Sequence, residues 1–176
     1  DPAELKRFRW ARFYQAIADG LLAYRNDRQP LIEFLQQLQS RVEGLGLLSG
    51  DQFADGSNGF IQDIDPFTLI GLFNRGIKDS NRQAIASELA QKLGVSEAVP
   101  ESFEGIPVLN NQKSWFFPYA KNRDPGQIDA LWQVFESGLA LADADDEQAQ
   151  AIFCRDFDAA MAHFGVAWNL TFGLYW

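Results

Sequence analysis

The chain has 176 residues, 47% of them hydrophobic, with 15 Phe and 5 Trp. Such a length and composition make one domain with a substantial core and exclude a disordered chain. A formal charge of −9 argues against a broad, non-specific nucleic-acid binder, because acidic surfaces repel phosphate backbones.

The charge is uneven. Residues 1–45 carry seven Lys/Arg against six Asp/Glu, and residues 46–176 carry eight against eighteen, which leaves room for a local basic face. No apolar run reaches the roughly 18 residues of a membrane span, and no signal peptide is visible. The single cysteine, Cys154, forms no internal disulfide and fits a reducing, cytoplasmic setting. The start at Asp1 without Met and the apolar end Leu174-Tyr175-Trp176 read as a piece cut from a longer protein.

In chain order, residues 1–46 read as a helical hairpin. Phe13, Ile17, Leu21 and Tyr24 form one stripe; Leu31, Leu35, Leu38, Val42 and Leu45 form a second. Pro30 suits a first helical turn, and Gly44 and Gly46 mark the expected stop. Residues 49–65, rich in Gly, Asp, Ser and Asn, read as a loop. A short apolar helix follows from Pro66 to about Asn74. Asp79 or Ser80 is expected to cap another helix that ends at Gly94, with Ile85, Leu89 and Leu93 buried. Residues 95–126 hold four prolines and read as a long irregular insertion, a length that is often functional. Ile128, Leu131, Trp132, Phe135 and Leu139 mark the next helix. Asp145 or Asp146 starts another, ending near Gly165, and Val166 to Trp176 reads as a last, largely buried helix. The expected class is all-α: a single domain of six or seven helices, the hairpin packed on a core of residues 60–176.

Several chemistries fail on spacing. In the loop from Asp51, the third and twelfth positions are Phe53 and Gln62, where a calcium loop needs an oxygen ligand and a bidentate Glu. Ile85 to Ser96 resembles the first helix and turn of a helix-turn-helix, but Pro100, Gly105 and Pro107 interrupt the place of a recognition helix. Cys154 and His163 fall within one expected helix, on different faces. A histidine-based metal site is equally poor, with one His in the chain. The acids Asp143, Asp145, Asp146 and Glu147 suit a helix N-terminus. No phosphate-binding GxxxxGK[ST] sequence occurs. The expectation is a non-catalytic chain without metal or cofactor.

Two segments remain. In Gly105-Ile-Pro-Val-Leu-Asn-Asn-Gln-Lys-Ser-Trp-Phe-Phe117, the polar run Asn110, Asn111, Gln112, Lys113 and Ser114 leads into Trp115. Amides beside a flat aromatic can read a planar polar ligand such as a nucleobase; they also make an ordinary loop pinned by its aromatics. In residues 74–82, Arg75, Lys78 and Arg82 gather with Asn74 and Asn81 around a turn ahead of a helix N-terminus. Such a turn can grip a phosphate, or it can be a solvated turn paired to nearby acids.

Together with Asp63-Ile-Asp-Pro-Phe-Thr-Leu-Ile-Gly-Leu-Phe-Asn-Arg-Gly-Ile77 and Gly165-Val-Ala-Trp-Asn-Leu-Thr-Phe-Gly-Leu-Tyr-Trp176, the segment from Gly105 to Phe117 resembles an N-terminal region found ahead of AAA+ modules. Those longer proteins look like the McrB-type motor subunit of modification-dependent restriction systems, which serve phage defence. The resemblance spans most of the chain from about residue 11. It implies a specificity domain that recognises DNA, often a modified base, with the motor module and a nuclease subunit acting downstream. It assigns no functional residue. A second similarity, of fold, is to endonuclease-III-type helix-hairpin-helix glycosylases, through residues 65–73 and 163–171. Only Gly165 of that family's glycine-rich turn is present, with Ala167 where a second glycine belongs.

Three readings follow. In the first, Arg75, Lys78 and Arg82, with Asn81, position a DNA backbone. Asn110, Asn111, Gln112 and Lys113 then read base edges, Trp115 stacks, and Ser114 is counted with them as DNA-binding. In the second, the chain is a protein-interaction or assembly domain. In the third, it belongs to a base-excision enzyme whose catalytic Asp lies beyond Trp176.

Overall fold

A computed structural model describes residues 9–111, 114–144, 146–163 and 165–176. Among these residues the chain is all-α, with seven α-helices, three short 3₁₀ turns and one two-stranded ribbon. No helix among them is long and apolar enough to cross a membrane.

Helix α1 (Arg9–Leu21) buries Phe13, Ile17 and Leu21, one residue per turn on a single face. Helix α2 (Gln29–Gln39) carries Pro30 in its first turn and buries Leu31, Leu35 and Leu38. It stops earlier than its stripe suggests. The Ser40 and Arg41 amides reach back only three residues, to the Gln37 and Leu38 carbonyls, and the Ser40 hydroxyl donates to Gln37 O at 2.7 Å. That local bonding closes the helix, and Leu45 reaches the core from the loop beyond. Arg28 ties the hairpin down, donating from Nε and Nη2 to the two Asp63 oxygens at 2.7 Å each.

The expected loop at 49–65 contains a ribbon, β1 (Asp51–Gln52) antiparallel to β2 (Asn58–Gly59). Asp51 is fully buried, accepting from Ala120 N at 2.9 Å and from Arg123 Nη2 at 3.1 Å. Helix α3 (Pro66–Gly71) is buried at every position and capped by Asp65, which accepts from Phe67 N at 2.9 Å and Thr68 N at 3.0 Å. Helix α4 (Asp79–Leu93) has Lys78 at its N-cap and no side-chain cap bond, since an ammonium has no acceptor. The expected caps Asp79 and Ser80 lie inside the first turn, Asp79 3.8 Å from Arg82. Gly94, at φ 70°, ends it.

Described residues between 95 and 119 form no helix and no strand pair beyond one isolated bridge. Helices α5 (Gln127–Ala144) and α6 (Glu147–Met161) then pack together, with Gln133 Nε2 donating to Asp156 at 3.1 Å. Asp146 caps α6 by accepting from Ala149 N at 2.7 Å; Asp145, the other expected start, lies outside the described residues. Since α6 ends at Met161, His163 stands beyond it and does not share the helix of Cys154.

Helix α7 (Ala167–Tyr175) is buried on one face only: Leu170 is enclosed, whereas Phe172 and Tyr175 are exposed. It is therefore not the largely buried helix its composition suggests. A Cβ on Gly173 would stand 2.6 Å from Phe67 Cδ1, so only glycine lets α7 lie against α3. One continuous apolar cluster runs from Phe13 on α1 to Leu170 on α7. Trp132 sits within it, its Nε1 donating to Ile64 O at 2.9 Å.

Candidate functional site

Helix α3 ends at Gly71 and leaves carbonyls that its own backbone does not pair. Two arginines meet them. Arg75 Nε donates to Leu72 O at 3.1 Å, and Arg82 Nε donates to Phe73 O at 2.7 Å. Arg75 Nη2 also donates to Gly44 O, which joins the hairpin's end to the turn. Arg82 Nη2 donates to Asn74 Oδ1 at 2.7 Å, and its guanidinium lies 3.9 Å over the Phe103 ring. Both side chains are buried, and burial lowers the pKa of each.

Arg75 and Arg82 are therefore interior struts. The expectation that they hold a DNA backbone is corrected by their burial and by carbonyl partners that take up their donors. A signal for Arg82 existed: it stands three residues before Ile85 and seven before Leu89, on the buried stripe of α4.

Asn74 is the centre that residue spacing does not reveal. Its Oδ1 accepts from Tyr14 Oη at 2.8 Å and from Arg82, and its Nδ2 donates to Pro107 O at 2.9 Å. Burial raises the Tyr14 pKa well above its ordinary value, against the nearby Arg82. The Asn74 backbone continues the link to the insertion. Leu109 N donates to Asn74 O, and Gly76 N donates to Leu109 O, each at 3.1 Å, forming a parallel bridge between Arg75 and Leu109. Asn111 Nδ2 then donates to Gly76 O.

The two polar segments singled out from the sequence are thus one face. Lys78, Asn110 and Asn111 are exposed on it, and Asn81 is half-buried beside Gly44. Gln112 and Lys113 lie outside the described residues. Ser114 is buried, away from solvent.

The aromatics divide. Phe116 and Phe117 are core anchors: Phe116 stacks on Phe67 with centroids 5.4 Å apart and donates its N–H to Thr68 Oγ1 at 3.1 Å. Arg123 lies 4.5 Å over Phe117. Trp115 is half-buried, packed on Phe117 at 5.3 Å and edge-on to Tyr119 at 5.8 Å. Its carbonyl accepts from Asn169 Nδ2 of α7 at 2.9 Å.

Amides and one ammonium can hydrogen-bond a polar ligand and hold a phosphate. Among the described residues, no group of three or more His, Cys, Asp or Glu is placed to hold a metal ion. Cys154 is exposed, and His163 Nδ1 lies 3.4 Å from Asp124 Oδ2.

Comparison with curated proteins and with solved structures finds no significant match. The family described as a domain of unknown function (DUF8425) matches residues 10–176. The chain belongs to that family.

Proposed function

We propose that this chain is the non-catalytic DNA-recognition domain of a McrB-like restriction motor, acting in the cytoplasm with an AAA+ module and a nuclease subunit. The observation that carries the reading is the Arg75–Leu109 bridge, which joins two segments chosen independently from the sequence. On that face Lys78 takes a phosphate, and Asn81, Asn110 and Asn111 supply amides for base edges. Arg75 and Arg82 act only by holding the turn in shape. A good amide–base contact contributes about 1–3 kcal/mol of discrimination. The net charge of −9 opposes the backbone, so binding is expected at low salt and is expected to be weak.

Anisotropy titrations of modified and unmodified duplexes test this, with wild type, Lys78→Ala and Asn111→Ala. Wild type should saturate and prefer one duplex. Lys78→Ala should weaken all duplexes alike, and Asn111→Ala should narrow the preference. No binding to any duplex, or wild-type behaviour of both variants, rejects the reading.

A further inference from the structure

Helices α1, α3, α5, α6 and α7 leave a half-open cleft of about 380 Å³, within the roughly 300–1,000 Å³ typical of ligand pockets. Phe67, Phe135, Phe153, Tyr175 and Trp176 wall it, with Gln15 at its edge. The apolar surface continues outward. Of the five large hydrophobic side chains exposed among the described residues, Tyr175 is itself in the wall. Phe172 stands three residues before Tyr175 and four before Trp176, on the same side of α7 as those wall residues. Exposed apolar groups are normal when scattered, and their gathering around one cleft marks an interaction site.

Among the described residues, two unpaired carboxylates flank the cleft, with one cation, Arg12, on the Gln15 stripe of α1. Asp19 accepts from Gln15 Nε2 at 3.1 Å, and Asp143 stands one turn beyond the wall residue Leu139 on α5. Both are exposed, and neither belongs to an ion pair among the described residues. The three carboxylates on α5 and α6 that do pair are Asp129, Glu136 and Asp156, each with an arginine of this chain.

We propose that this cleft docks the apolar face of a basic amphipathic helix from a partner protein. A helix seats apolar side chains three and four residues apart in such a groove, and its cationic face then meets Asp19 and Asp143. Charge disfavours a second copy of this chain, since both would carry −9. The proposal does not rest on the DNA reading, although Trp176 of the wall donates from Nε1 to Pro107 O at 2.9 Å and Tyr14 of the lining to Asn74 Oδ1 at 2.8 Å.

The test titrates the protein into a labelled synthetic peptide of Leu and Lys, with Leu at helical spacing, by fluorescence anisotropy. A scrambled peptide of the same composition measures the purely ionic part of binding. Two variants probe the cleft. At Gly138 an added Cβ meets Phe153 Cε2 at 3.5 Å and Leu174 Cδ2 at 3.6 Å, ordinary contacts, so the side chain of Gly138→Leu extends into the space. Tyr175→Glu changes a side chain that is 60% exposed and leaves the core intact.

The patterned peptide should bind about tenfold or more tightly than the scrambled one, and both variants should erase that difference. Should Gly138→Leu lower the melting temperature, Tyr175→Glu decides alone. Equal binding of the two peptides, or full patterned binding by Tyr175→Glu, overturns the proposal. So does a dimer of the unmixed chain, seen by light scattering, that Tyr175→Glu dissociates.

Discussion

Leu109 pairs with Arg75 across 34 positions of chain, its N–H reaching Asn74 O and its carbonyl receiving Gly76 N–H, each at 3.1 Å. This bridge fixes the insertion to the turn, and Asn74 backs it from below with bonds to Tyr14, Arg82 and Pro107. Replacing Asn74 therefore removes more than one contact.

Asn74→Ala should leave the buried Arg82 and Tyr14 without their shared acceptor. Unsatisfied buried groups cost about 1–3 kcal/mol each, so a loss of roughly 3 kcal/mol is expected in urea denaturation. Asn74→Ala should also speed hydrogen exchange at the Leu109 and Gly76 amides. Protection unchanged at those two sites would contradict the role given to Asn74.

Two glycines on neighbouring helices should respond oppositely. Gly173→Ala places a Cβ 2.6 Å from Phe67 Cδ1 and 3.0 Å from Phe116 Cε1, an overpacking that costs about 1–3 kcal/mol. Gly138→Ala meets only ordinary contacts from 3.5 Å outward and gains helix propensity, up to about 1 kcal/mol. Thermal melts of the two variants check the contrast in sign.

Asp65 should give the fold a measurable pH slope. Full burial pushes its carboxyl up to about 6, against the pull of the Thr68 and Phe67 hydrogen bonds, whereas an unfolded aspartate titrates near 3.9. The folded state holds the proton more tightly. Its contribution is thus fully present below about pH 3.9 and is lost as pH rises through about 6. The difference corresponds to about 3 kcal/mol. Asp65→Asn keeps a capping side chain, and the difference in stability between it and wild type should change across that window. A difference flat from pH 4 to pH 7, by denaturant titration, would refute the shift.

Salt dependence separates the surface lysine from the buried arginines. Lys78→Ala should flatten the slope of log affinity against log salt by about 0.9, the value for one phosphate contact on duplex DNA. Arg75→Ala should instead lower the melting temperature, because Leu72 O and Gly44 O lose their donor. Wild-type salt dependence of Lys78→Ala would remove Lys78 from the interface.

Most helices were legible because a buried face repeats locally: Phe13, Ile17 and Leu21 on α1, or Ile128, Leu131 and Phe135 on α5, follow the 3.6-residue period. Helix ends were less so. Gln39 and Gly71 end their helices through short-range bonds that the apolar stripe does not encode. Arg75 was misread because a cation beside a turn has the same spelling whether it faces solvent or a carbonyl, whereas the place of Arg82 on the buried stripe of α4 was legible. Asn111 was legible as a polar loop residue, but not its partner Gly76, which lies 35 positions away.

By itself, then, the sequence determined the all-α class, the irregular 95–126 segment and the two polar stretches, since these depend on composition, breakers and local period. The tertiary structure alone decided that the stretches share a face, that Arg75 is interior and that a cleft opens beside α7. Those outcomes depend on long-range pairings, on orphan carbonyls at the end of α3 and on the closeness permitted by Gly173.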